Sequence, residues 1–497
     1  MSKRNSTDVY EPLLPDRAVF DEEEDYDDCL ADVLIGWDGP SDPENPHNYS
    51  FARKVFITSI WVVANWATNI SSSIFSSCSP GISREFDSSK TVTNLGISLF
   101  LIGYTVGPPC WGPLSERFGR KWPVCIGLLC FTAFSVLVAL ADNVVTVIVG
   151  RFLCGAFGAA PLTIFGGGLV DIWTPVRRGV AMAGCLGAIF GSIILAPIVG
   201  NFVAATAGWR WTIWLSAFMG LAAAVLSIIA LPETHGATLL RWKADEIKAQ
   251  TGNPNVRPMG GDQAKDIKTI LQIYLVRSFK MLVTEPILLL ITIYQAFVYG
   301  ILYMVFVSFP IAFREVRHWS LGISGLSYTG MLLGVLLGAA VVIRHSLTTY
   351  AAQVKRNGGL IIPEQRLPMM CVGGCLFPAG LFIFALTSSP DVHWIGQLAG
   401  SVPIAMGIYI VFNQCLNYII DTYVNTANSA IGANTFVRSF FGASFPLVGP
   451  ALYHRLGVAW ATGLIGLVGI GMIPIPLLFY RYGHAIRLRS KNVENKN

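Results

Sequence analysis

Runs of about 20 apolar residues, parted by short polar stretches, recur along the chain from about residue 54 to residue 480. A helix of about 20 apolar residues crosses a hydrocarbon core about 30 Å thick. The pattern predicts twelve such helices, the first six near 54–77, 93–113, 122–141, 144–168, 180–203 and 211–231. The other six fall near 281–309, 322–343, 369–387, 394–419, 429–451 and 458–480. The segment 232–280 between the two sets is rich in Lys, Asp, Gln and Gly. Six spans, a polar linker and six spans outline a duplicated carrier. The fold class expected is an all-α membrane protein of twelve transmembrane helices in two six-helix halves.

Charge sharpens this picture. Only 13% of the 497 residues are charged, against roughly 25% in globular domains. Such a chain cannot cover itself with a charged surface, and its expected surroundings are the lipid bilayer. Lys and Arg collect in cytoplasmic loops. With a cytoplasmic N-terminus, Arg84, Lys90, Arg210, Arg314, Arg317 and Arg455 fall outside, Arg151 and Arg438 fall within spans, and the other 27 of 35 fall inside. Both termini are therefore expected in the cytoplasm. The first 50 residues hold 14 of the 30 acids, including DEEEDYDD at 21–28, and five prolines, with no helical apolar period. Residues 1–52 read as a disordered acidic cytoplasmic tail, without the basic and apolar regions of a cleaved signal peptide. The further divisions are an N-terminal six-helix bundle over 53–231, a cytoplasmic linker over 232–280, a C-terminal six-helix bundle over 281–481 and a basic cytoplasmic tail over 482–497.

The ten cysteines are scattered and form no CxxC pair, so neither a metal nor a cofactor is expected. No GxxxxGK[ST] loop occurs, which argues against an ATP-driven pump. No HExxH or GxSxG motif occurs either, and the chain is not expected to be an enzyme. A monomer without a nucleic-acid partner is expected.

The charge burst GPLSERFGRK, Gly112 to Lys121, interrupts two apolar runs at the predicted loop between spans 2 and 3. Positive charge in a cytoplasmic hairpin accounts for Arg117, Arg120 and Lys121, but not for Glu116 or the glycine spacing. The stretch resembles the signature G-x-x-x-[DE]-R-x-G-R-[RK] that the major facilitator superfamily carries at this loop. The resemblance implies that fold, and a cytoplasmic gate made of Gly112, Glu116, Arg117, Gly119, Arg120 and, from span 4, Asp171. Gly112 is expected to let two helices approach closely, and Gly119 to permit a tight turn. Other stretches resemble fungal twelve-span drug:proton antiporters: RFLCGAFGAAPLTIFGGGLVDIW at 151–173, LPETHGATLLRWKADEI after span 6, EPILLLITIYQAFVYGILYMVF in span 7, and NYIIDTY, SAIGANTFVRSFFGASFPL and YRYGHAIRLRSK towards the end. The fifth-span signature G-x-x-x-G-P-x-x-G-G is met only partly: Pro197 and Gly200 keep the helix-5 kink, while Ala196 and Asn201 replace glycines.

In that superfamily spans 1, 4, 7 and 10 line the central cavity, which makes Asn65, Asn69, Arg151, Tyr299, Tyr303, Asn413 and Asn417 the substrate-cavity candidates. Arg151 matches an arginine of the family's fourth-span motif. The tyrosines and amides suit bulky, partly apolar compounds. The acids Asp171, Glu285 and Asp421 fall near cytoplasmic span ends; Asp171 and Glu285 are the candidates for proton coupling. The expected function is a secondary active transporter, exporting a drug, toxin, secondary metabolite or polyamine in exchange for protons. Proton-coupled uptake or facilitated diffusion is the alternative carrier reading, and a non-transporting membrane sensor the alternative of another class. The expected site is the plasma membrane, with the vacuolar membrane as alternative.

Overall fold

The computed structural model describes residues 33–489 apart from 254, 260–266, 359, 361 and 424–425; the acidic run at 21–28 and the end of the basic tail lie outside them. The long helices of the first half are α1 (Phe51–Ile74), α2 (Lys90–Phe118), α3 (Lys121–Ala139), α4 (Val144–Ile172), α5 (Pro175–Thr206) and α6 (Trp209–Ala230). The linker holds α7 (Gly236–Thr251) and α8 (Ile267–Thr284). The second half follows as α9 (Pro286–Pro310), α10 (Thr329–His345), α11 (Leu367–Leu386), α12 (Ile395–Thr422), α13 (Ala427–Met472) and α14 (Pro474–Arg489). Among the described residues, nine helical stretches are long and apolar enough to cross a membrane.

Local chemistry sets the helix ends. Ser50, Ser89 and Asn143 each cap a first turn by accepting a backbone N–H three residues on, the preferred use of short polar side chains there. Gly119 and Gly208 take positive φ between consecutive helices. The predicted span 7 begins later than its apolar pattern suggests. Pro286 excludes the α conformation from the residue before it, so Glu285 is extended (φ −111°, ψ 96°) and divides α8 from α9. Within α13, Gly457 (φ 77°) breaks the helix where the sequence predicts the turn between the last two spans.

Close contact between helices depends on missing side chains. A Cβ on Gly155 of α4 would run into the Phe100 carbonyl of α2, and one on Gly103 of α2 into the Phe152 carbonyl of α4. In a bilayer, where helices gain little from burying apolar surface against one another, such small-residue contacts let backbones pack.

The leader departs from the expected disorder. Val33–Ile35 (β1) pairs in parallel with Val256–Pro258 (β2) of the linker, Val33 opposite Val256. Lys243 of α7 lies 2.6 Å from Asp38 and 3.5 Å from Glu44. Asp42 accepts the backbone N–H groups of Asp38 and Glu44 at 2.8 Å each, which hold its carboxyl below the usual range. Residues 33–49 thus belong to a clasp built with the linker, and only residues 1–32 of the predicted tail lie beyond description.

Candidate functional site

Two cavities open between the helices from opposite ends. The inner one, the narrower of the two, is lined by Gly112, Ser115 and Arg120 near the C-terminal end of α2, by Leu162–Gly167 of α4, and by Phe412, Leu416 and Arg438 after the linker. The outer one, wider, is lined by Ser76, Arg84, Asn94, Ile97, Phe306, Arg314, Tyr328 and His454, among others.

A ladder of rings joins the two. Phe412, in the inner wall, stands 5.9 Å from Tyr299; Tyr299 stands 5.0 Å from Tyr303; and Tyr303 stands 5.6 Å from Phe306, in the outer wall. The Tyr303 hydroxyl lies 3.0 Å from Ser72 Oγ of α1, and the Tyr409 hydroxyl of α12 donates to the Ala183 carbonyl of α5 at 2.6 Å. The two halves therefore meet at mid-depth through aromatic faces and a few hydrogen bonds. Tyr299 and Tyr303 stand between the cavities, lining neither.

The amides do less than their positions suggest. Asn65 donates to the Trp61 carbonyl, Asn69 to the Asn65 carbonyl and Asn417 to the Asn413 carbonyl, all at 2.9 Å within their own helices. Asn65, Asn69, Asn413 and Asn417 are buried and line neither cavity.

Arg151 is 1% exposed. It donates to the Gly96 carbonyl (3.2 Å), Ser71 Oγ (3.1 Å) and the Ser72 carbonyl (3.4 Å), and its guanidinium lies over Phe75 and Phe100. It ties α1, α2 and α4 together behind the serine that meets Tyr303. A charge at the centre of a span costs at least about 2.5 kcal/mol; here carbonyls and ring faces offset that cost, with no carboxylate among its partners in the described residues.

Between α2 and α3 the charge burst has a defined structure. Arg120 Nε lies 2.9 Å from Asp171 Oδ2, and its Nη1 donates to Ser115 Oγ at 2.9 Å. The Glu233 carboxylate accepts the backbone N–H groups of Arg120 (2.8 Å), Lys121 (3.2 Å), Thr234 (2.9 Å) and His235 (2.8 Å). The linker helix α7 is thereby fixed to the loop, and Arg241 adds a bond to the Arg117 carbonyl at 3.2 Å. Burial, with Arg120 and Arg241 nearby, pushes the His235 imidazole down to about 3. Glu116 and Arg117 stand half-buried on the last turn of α2. One glycine reading changes. A Cβ on Gly112 would meet open space, so Gly112 widens the inner cavity and brings no helices together. In the run FGGGLV, Gly167 leaves room for the Arg120 guanidinium and Gly168 for the Trp61 ring, each about 3 Å from a built Cβ.

The pair Arg120–Asp171 lies within the first half. Among the described residues, the ion pair that crosses from one side of the linker to the other is Arg178 Nη2 with Asp421 Oδ1, at 3.2 Å. Asp421 also accepts from Arg366 Nε and from the Tyr350 hydroxyl. Sequence reasoning noted Asp421 as a span-end acid but missed its partners, since nothing local marks residues 243 apart as neighbours. Glu285 is fully buried and accepts from the Tyr423 hydroxyl at 3.4 Å. On the outer side of α5, a Cβ on Gly200 would meet Ile74 and Ser77 at the end of α1, and the Pro197 carbonyl lies against Gly325.

Residues 61–446 match the family model described as Major Facilitator Superfamily. The chain belongs to that superfamily. Among curated relatives, this superfamily member is 59% identical over 92% of its length to the MFS-type transporter oryN of Aspergillus oryzae, covering 90% of that protein. It is 44% identical to the citrinin biosynthesis cluster MFS transporter mrr1 of Monascus ruber, over 92% of each chain. It is 37% identical to the efflux pump bik6 of Gibberella fujikuroi, over 95% of this chain and 97% of that one. The solved structure of the proton:xylose symporter XylE shares the fold, with a TM-score of 0.63 over 87% of this chain and 96% of that one at 15% identity. The protein is a multi-pass membrane transporter of the major facilitator superfamily, not an enzyme.

Proposed function

We propose that this transporter exports a small organic compound from the cytoplasm by alternating access, in exchange for protons. The observation that carries the reading is the pair of cavities on opposite sides of the ladder Phe412–Tyr299–Tyr303–Phe306. A carrier needs a compound-sized space on each side and a thin barrier that either state can open. Carriers of this kind pass between states that differ by only a few kcal/mol, and the few hydrogen bonds between the halves suit such a barrier. The reading takes α1 and α2 as spans beside the nine apolar stretches, and Gly457 as a break within the last of them, which makes twelve. Relatives named for a biosynthesis cluster and for efflux favour a secondary metabolite as cargo and the plasma membrane as location. In this reading Arg151, Tyr299 and Tyr303 form the mid-depth layer the cargo passes, and Asn65, Asn69, Asn413 and Asn417 serve within their own helices. Asp171 and Glu285, buried or nearly so at cytoplasmic span ends, are the proton-carrying groups of this reading.

The test compares metabolites in cells and medium between a strain lacking the protein and one overproducing it, with and without a protonophore. A compound that builds up inside the deletion strain, and whose release falls when the proton gradient is collapsed, supports the reading. A compound that instead builds up inside the overproducing strain marks an importer. Identical profiles in both strains leave the sensor reading as the better one.

A further inference from the structure

Arg438 has no use in the architecture so far. It sits on α13, roughly 15 Å along the helix from its cytoplasmic start at 1.5 Å per residue, is 4% exposed, and lines the inner cavity. Its guanidinium lies over the Phe412 and Tyr299 rings, 4.8 and 5.5 Å from their centroids. Its Nε is buried with no hydrogen-bond partner, and none of its nitrogens donates to an acceptor among the described residues. The ionisable groups around it are the phenols of Tyr299, Tyr303 and Tyr104. Arg151, by contrast, spends its donors on three acceptors. No Asp or Glu is among the described lining residues of the inner cavity, whose other cation, Arg120, is already paired with Asp171.

A buried guanidinium with idle donors is costly until something pairs with it. The surrounding wall is apolar and aromatic, with hydroxyls from Ser115, Thr163 and Thr435. Resting on the proposal that this cavity receives cargo from the cytoplasm, we infer that the cargo is an organic anion: an apolar or aromatic scaffold carrying a carboxylate or similar acidic group. The acid group takes the Arg438 donors in a two-pronged contact, the geometry in which arginine pairs best with planar acids. The scaffold lies along Phe412, Leu416 and the Leu162–Gly167 wall. A cation of the same shape is disfavoured, because no Asp or Glu is among the described lining residues and the nearby Asp171 is paired with Arg120.

The test uses purified full-length protein in nanodiscs and three probes of one shape: naphthalene-2-carboxylate, naphthalene-2-carboxamide and a naphthyl trimethylammonium cation. Binding is measured by displacement of radiolabelled carboxylate. The wild type should prefer the carboxylate over the amide by about tenfold or more, the range of one charge-assisted contact, and bind the cation least. Arg438→Gln should erase the preference for acid over amide, and Arg438→Lys should restore part of it. Equal binding of acid and amide by the wild type, or no binding of the acid, overturns the inference without any variant. An unchanged preference in a monodisperse Arg438→Gln protein overturns the role of Arg438. Binding to purified protein is independent of transport direction, so failure here and failure of the export reading are separate results.

Discussion

Glu233 and Arg120, 113 residues apart, meet where the carboxylate of one accepts the backbone N–H of the other at 2.8 Å. Through that bond the linker after the first half closes the turn between α2 and α3. Gly119, beside it, has φ of 84° and ψ of 176°, a region open in practice only to glycine. A Cβ there would also run into the Glu233 carboxylate. Gly119→Ala is expected to lower stability by about 2 kcal/mol or more, from backbone strain of about 1–3 kcal/mol plus the displaced carboxylate. Gly112→Ala, which meets open space, should cost little. Thermal unfolding of the two variants in detergent checks the contrast; equal losses would remove Glu233 from the account.

Asp421 is expected to narrow the opening of the inner cavity. Asp421→Asn leaves Arg178 and Arg366 facing each other without their shared acid. Breaking a buried pair from one side costs about 3–5 kcal/mol, although Arg178 is partly wetted and will recover some of that. With Cys110 and Cys375 replaced, a cysteine at Gly432 in the inner cavity should react faster with a membrane-impermeant thiol reagent applied from the cytoplasmic side. An unchanged rate means that the pair does not tie the halves.

Arg151→Lys keeps the charge but offers one compact donor head in place of a planar fork. It cannot reach Gly96, Ser71 and Ser72 together. The expected result is a loss of about 1–3 kcal/mol in stability, the cost of a buried acceptor left unpaired, with transport lowered beyond the loss in protein level. Transport per molecule equal to wild type would confine Arg151 to packing.

His235 supplies a pH dependence. Docked, its imidazole titrates at about 3; released, near 6.5. Between these values the released state binds more protons, so docking of α7 on the loop weakens as pH falls and is fully present above about 6.5. Amide exchange in 236–251, corrected for its intrinsic pH dependence, should become faster from pH 7.5 to 5. His235→Gln should flatten that response. A wild-type response as flat as the variant's would show the imidazole to be exposed to solvent.

The apolar runs announced the helices because a bilayer leaves a chain few other ways to satisfy its backbone. What stayed hidden was long-range or conditional. Asp421 reads as one more acid at a span end until the fold brings Arg178, Arg366 and Tyr350 around it. Glu233 lies in a stretch that resembles a family segment, yet its capping of a distant turn depends on backbone donors with no sequence signature. Val33–Ile35 is three apolar residues in an acidic leader, too short to predict a strand without Val256–Pro258 alongside. Gly112 carried the opposite error: a motif glycine was assigned to close packing, and its neighbourhood is cavity.

The uncompensated guanidinium of Arg438 also bears on where the driving force comes from. A charge crossing the membrane is worth about 2.3 kcal/mol for each 100 mV. With an anion as cargo, export carries negative charge out of a cell whose interior is negative, and the voltage itself draws the compound outward. A proton entering in exchange moves with the same voltage. The two fluxes then add electrically, so that a one-for-one cycle transfers two charges and takes up about 4.6 kcal/mol per 100 mV. Such a carrier would keep exporting when the external medium has lost its acidity, so long as the membrane stays polarised.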